Sequence, residues 1–146
     1  MSLGENKAIV RRFIEALNKQ DLSSLDDLVA TDYVDHTNQF RGLERVKQAI
    51  TILYKGFPDF HVNIEDIVAE GDTVWVREKE TGTHKGEYRG IAPTGKKMTF
   101  FCVDIFHIVD GKVAEGWHVY NFRDFYNQLD VIEYTEKAKG LFPENV

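Results

Sequence analysis

The sequence predicts an α+β fold in which helices pack on one face of a curved, mostly antiparallel sheet. Apolar residues recur at helical spacing through the first third of the chain, and from Phe60 the period changes to two, the spacing of strands. Asp110-Gly111 then joins two long apolar runs, the strongest short hairpin signal in the chain. Helices gathered at one end with long antiparallel strands after them argue for α+β, and a curved sheet under helices makes a cone that can hold a pocket.

Ile9, Phe13, Ala16 and Leu17 form one stripe of an amphipathic helix over 5–18. Asp21 can cap a second, shorter helix carrying Leu22, Leu25, Leu28 and Val29, because its carboxylate accepts from the first orphan backbone donors. Gly42 opens a third, where Leu43, Val46, Ile50 and Leu53 repeat the stripe until Gly56 and Pro58 stop it. Three helices are thus expected before any long strand. Phe60, Val62 and Ile64 alternate with His61, Asn63 and Glu65, and the turn Ala69-Glu70-Gly71-Asp72 leads into a second strand over 73–83. The stretch 82–97 holds Gly82, Gly86, Gly90, Pro93 and Gly95 and reads as a long loop or bulged turn. Strands over 99–109 and 112–122, a closing helix over 124–129 and a mobile tail complete the chain. With no repeat, linker or low-complexity segment, 1–146 reads as one domain, its core at about 5–129 and its tail at 130–146.

Composition narrows the function. The 146 residues carry 18 Lys and Arg against 24 Asp and Glu, a formal charge of −6, so no basic stripe awaits nucleic acid or anionic lipid. The single cysteine, Cys102, cannot form an internal disulfide, which makes a reducing cytoplasm the default. No run reaches the roughly 18 apolar residues of a membrane span, and the first residues lack a basic region followed by an apolar segment.

If Asp110-Gly111 is a two-residue turn, Val109 faces Lys112, and further down the ladder Phe106 faces Glu115, Asp104 faces Trp117, Cys102 faces Val119 and Phe100 faces Asn121. These residues share one side of the sheet. The other side carries Phe101, Val103, Ile105 and His107 with Ala114, Gly116, His118 and Tyr120. Both sides are largely apolar, and three helices can cover only one, so the outer face is expected to meet a second copy in a homodimer. The side with Asp104, Trp117 and Asn121 is taken as the inner one; a single bulge would exchange the sets beyond it.

Asp104, set between Cys102 and Phe106, is the sharpest single residue. A carboxyl in an apolar site either finds a partner, such as Arg77, or takes up a proton, and a raised pKa suits proton transfer near neutrality. The histidines show no metal spacing: His107 and Val103, the strand neighbour of His118, stand about 13 Å apart, too far for one zinc. No metal and no cofactor are expected. His36, after Tyr33-Val34-Asp35, and His107 are candidates to handle a proton, while Tyr33, Phe60, His84, Phe100 and Trp117 are candidate pocket wall.

Several stretches carry a family resemblance: Tyr33-Val34-Asp35-His36, Phe57-Pro58-Asp59-Phe60-His61 and Glu70-Gly71-Asp72. The most specific is the run from Gly82-Thr83-His84 to Gly90-Ile91-Ala92-Pro93-Thr94-Gly95-Lys96; Asp110-Gly111-Lys112 and Glu115-Gly116-Trp117 follow. Over about 5–129 the chain resembles the SnoaL-like polyketide cyclases, within the nuclear transport factor 2-like or ketosteroid-isomerase-like superfamily. The resemblance implies a cone-shaped α+β barrel, a homodimer and a cofactor-free pocket for a small, flat, apolar ligand. For the cyclases it also implies an intramolecular aldol closure by acid/base chemistry. The family's E-x-W-x-x-x-D pattern supplies an Asp as acid/base, and here that position is Asn121, an amide that can steady an oxyanion but cannot carry the proton. Two readings follow: an enzyme in which Asp104 or a histidine moves the proton beside Asn121, or a binding or carrier domain without catalysis.

Overall fold

The structure, a computed structural model, describes residues 1–142. In chain order it runs α1 (Leu3–Asn18), α2 (Leu25–Leu28), β1 (Val29–Asp35), β2 (Phe40–Arg41), α3 (Leu43–Gly56), β3 (His61–Glu70), β4 (Thr73–Thr83), β5 (Lys97–Val109), β6 (Lys112–Tyr120), α4 (Phe122–Gln128) and α5 (Glu136–Leu141). Ser2 and Glu5 start α1 with a reciprocal capping box, each side chain accepting from the other's backbone N–H. The expected second helix shrinks to one turn, and at Val29 the chain turns into β1 instead. Asp21 does not cap that helix: the N-cap is Ser24, without a side-chain hydrogen bond, and the Asp21 carboxylate accepts from the Ser23 and Ser24 hydroxyls. β1 is a strand because β6, remote in sequence, pairs with it in parallel, a partner that no local spacing announces.

The six strands form one open sheet in the order β2-β1-β6-β5-β4-β3, every neighbouring pair antiparallel except β1 with β6. The sheet has two edges and is not a closed barrel. α1 lies against β3, β4 and β6 and α3 against β1 on its inner face, and Ile9, Val10, Ile14, Val46 and Ile50 share one core with Val74, Val76 and Phe106. At the far end α4 brings Phe125 against Phe57, Tyr88 and Phe100. The glycine-rich stretch is a loop of 84–96, tied down where Lys85 and Gly86 donate to the Gly56 carbonyl at 3.0 Å. Of the tail expected to be mobile, residues up to 142 carry α5, with the Arg123 guanidinium over the Phe142 ring; 143–146 lie outside the described residues. Among the described residues no helix is long and apolar enough to cross a membrane.

The last hairpin departs from its expected register by one residue. Val109 faces Lys112 and Ile108 faces Val113, but His107 faces Glu115, which leaves Ala114 as an extra residue in β6. Beyond this bulge Phe106 faces Gly116, Asp104 faces His118 and Cys102 faces Tyr120. The inner side of β5 is as expected, whereas β6 is reversed: Gly116, His118 and Tyr120 turn inward, and Glu115, Trp117 and Val119 turn outward. Asn121 falls past the end of the strand, exposed, and caps α4 by accepting from the Asp124 N–H at 3.0 Å.

The reversal makes Gly116 a point of close approach, since a Cβ there would lie 2.1 Å from the Tyr33 hydroxyl oxygen. Substituting Gly116→Ala must push Tyr33 off the sheet, and urea unfolding is expected to show a loss of about 1–3 kcal/mol. Unchanged stability would mean that Tyr33 does not need this gap.

Candidate functional site

Between α1, α3 and the inner face lies a cavity of about 420 Å³, within the range of small-molecule pockets. Phe13, Leu17, Phe40, Leu53, Phe60 and Phe100 supply apolar wall, and Tyr33, Asp35, Glu78, Glu80, Asp104 and His118 supply a polar floor. Alternation along each strand brings the floor together. Val74 and Val76 are followed on the same face of β4 by Glu78 and Glu80, while Asp104 of β5 faces His118 of β6.

His118 is the hub. Its Nδ1 lies 2.6 Å from Asp104 Oδ1, and its Nε2 lies 3.3 Å from Asp35 Oδ2 and 3.5 Å from the Tyr33 hydroxyl. Thr37 locks the backbone of His118, accepting from its N–H at 2.8 Å and donating to its carbonyl at 3.2 Å. Burial alone would lower the imidazole pKa, but the charges and hydrogen bonds of Asp104 and Asp35 outweigh it and raise it to about 10. The ring is therefore an imidazolium at neutral pH. Asp35 feels the same balance from the other side: burial raises its pKa, and hydrogen bonds from His118 and Asn38 more than reverse that. Asp104 receives both of its hydrogen bonds, from His118 and from the Cys102 thiol, on Oδ1. Its Oδ2 has no donor among the described residues. The partner is His118 rather than Arg77, which is exposed on the other side of the sheet.

Tyr33, Phe60, Phe100 and Asp104 line this cavity; the other expected site residues do not. His36 and His107 stand on the outer face, where Glu115 accepts from both, at 2.9 and 2.7 Å, and Trp117 stacks on His36 with centroids 4.5 Å apart. They are thus a surface cluster and not cavity groups: His107 lies on the outward parity of β5, and the bulge turns Glu115 and Trp117 to that same side. His84 is fully buried beneath the loop, stacked on Phe57, with Nδ1 accepting from the Thr94 N–H at 3.2 Å; it orders the loop and is not cavity wall. Asn121 caps a helix. His118, Asp35, Glu78 and Glu80 escaped the sequence reading. The glutamates were signalled, since they continue the parity of Val74 and Val76, but His118 depended on a bulge with no local mark.

Helices over one face of an open sheet thus enclose an aromatic cavity with an ionisable floor. Residues 7–129 match the description SnoaL-like polyketide cyclase, and the chain belongs to this family. Aklanonic acid methyl ester cyclase DnrD of Streptomyces peucetius is 28% identical over 128 residues, covering 83% of this chain and 88% of that protein. AcmA of Streptomyces galilaeus, also an aklanonic acid methyl ester cyclase, is 28% identical over 133 residues, 87% of this chain and 92% of its own. Among solved structures, TsrD of Streptomyces laurentii superposes with a TM-score of 0.83 at 26% identity, covering 90% of this chain and 99% of its own. AclR of Streptomyces galilaeus gives 0.81 at 29%, covering 98% and 92%.

Because His118 has a higher pKa folded than its ordinary 6.5, its pairing stabilises the fold fully below about 6.5 and less and less as the pH rises through about 10. Asp35 runs the other way: it contributes above its ordinary 3.8 and loses that contribution as the pH falls through its lower folded value. Nitrogen-15 NMR of the imidazole is expected to show His118 doubly protonated until the pH nears about 10, and Asp104→Asn to lower that midpoint by at least about one unit. A midpoint near 6.5 in the unsubstituted protein would overturn the assignment.

Proposed function

We propose that this protein catalyses cofactor-independent acid/base chemistry of the polyketide-cyclase type, an aldol cyclisation or enolisation of a small, largely apolar substrate. The observation that carries this reading is the imidazolium of His118 with Asp104 on one ring nitrogen and Tyr33 and Asp35 on the other, at the floor of an aromatic cavity. Asp104 Oδ2 is the base that removes a proton beside a carbonyl. The carbanion closes on a second carbonyl, and the resulting alkoxide is met by the Tyr33 hydroxyl and His118 Nε2–H before the proton returns to it from Asp104. Burial, then the charges of Asp35 and Asp104, hold the Tyr33 hydroxyl above its ordinary range, so it stays a neutral donor. The sequence changes no oxidation state, and the residues present suffice for it.

Turnover of an enolisable aromatic polyketide surrogate, followed by product formation, is expected to fall about 10²–10⁴-fold in Asp104→Asn. Asn121→Asp is expected to restore nothing, because position 121 caps α4 outside the cavity. A surrogate that binds but never turns over, in either form, would favour the carrier reading.

The outer face supports a second proposal, a homodimer. Trp75, Ile105 and Trp117 form a continuous apolar row across β4, β5 and β6, and Phe101 and Val119 beside it are each 60% exposed. Light scattering after gel filtration is expected to give twice the chain mass, and Phe101→Asp with Val119→Asp to give the monomer; a monomeric unsubstituted protein would sink this.

A further inference from the structure

Glu78 and Glu80 are the titratable groups of the cavity that the proposed chemistry leaves unused. They neighbour Cys102 across the strands, and one atom from each of the three lies within 4.8 Å of the others. Glu78 is 1% exposed, yet its Oε1 meets no donor. Burial first, then the charge of Asp104, push both carboxyls well above the ordinary range, and the two side chains share a hydrogen bond in which Glu78 donates to Glu80. The cations that line the cavity are engaged elsewhere. His118 serves Asp104 and Asp35, Arg45 donates to Gln48, and Arg89 lies over the Tyr88 ring. An acidic floor with one buried carboxyl oxygen that meets no donor, beside the rings of Phe60, Tyr88 and Phe100, is the chemistry that recognises an ammonium group, which offers three donors and a positive charge to the ring faces.

We propose that the substrate of this cavity carries a protonated primary amine that seats between Glu78 and Glu80 and displaces proton from them. The inference rests on the cavity being the substrate site. A divalent metal is the rival occupant of the same three atoms. Cys102 disfavours it: burial, then the Asp104 charge, keep the thiol protonated, and it donates to Asp104 at 3.1 Å, whereas ligation needs the thiolate.

The test is titration calorimetry on the full chain near neutral pH with naphthylmethylamine, its neutral isostere naphthylmethanol and the anion naphthoate, in two buffers of different ionisation heat. The amine is expected to bind at least about tenfold tighter than the alcohol, with a buffer-dependent heat that reports proton release, and both signatures are expected to vanish in Glu78→Gln and Glu80→Gln. The buffer dependence of the unsubstituted protein stands even if a variant does not fold. Equal binding of the three, binding of none, or an amine preference that survives both substitutions overturns the proposal. Zn²⁺ alone raising the melting temperature, with the effect lost in Cys102→Ser, also overturns it by giving the atoms to a metal. Asp104→Asn separates the two readings: it is expected to keep the amine preference while abolishing turnover, and a lost preference with turnover intact condemns this inference alone.

Discussion

Ala114, one residue without a partner on β5, decides what each face of this sheet can do. Side chains alternate strictly, so a single inserted residue moves everything beyond it to the opposite face. It turns His118 toward the helices, opposite Asp104, and places Gly116 where Tyr33 needs room. It also sends Trp117 and Glu115 outward, where they gather His36 and His107. Without the bulge Asp104 would face an indole in place of the imidazole.

Four carboxyls on one buried floor pose an electrostatic problem that the structure solves twice, in opposite senses. Asp35 and Asp104 share one imidazolium, which holds Asp35 ionised below its ordinary range. Glu78 and Glu80 have no such partner, and burial beside those charges keeps protons on them. Asp35 is thus held down and the two glutamates are pushed up by their surroundings on the same floor.

Much of this was legible in the chain. Helical stripes, the change of period at Phe60 and the Asp110-Gly111 turn locate α1, α3 and the four long strands, because amphipathic spacing and turn chemistry are local properties. β1 was not legible, for its strand character comes from a parallel partner some eighty residues away. Within the site, Asp104 stood out as a carboxyl in an apolar run. Glu78 and Glu80 continue the parity of the apolar Val74 and Val76, which marks them as inward once those valines are taken as core. A regular ladder predicts Trp117 and Asn121 on the inner face, and one extra residue without a local signature moves both.

The same displacement bears on why position 121 can be an amide. Asn121 lies beyond the last pair of the β5–β6 ladder and accepts from the Asp124 N–H, a capping duty that Asn and Asp perform about equally well. Structure alone therefore does not demand the amide, and the amide cannot be the acid. What the chain has instead is a histidine on β6 whose backbone is locked by Thr37 and whose ring joins carboxylates of β1 and β5, two strands on either side of it. Proton handling built into three adjacent strands is held more rigidly than at a strand end, and rigidity at the reacting group is what an acid/base site most needs. On the proposed reading the proton is therefore carried by Asp104 of β5, held by His118 in the middle of β6, and not by a group at that strand's end.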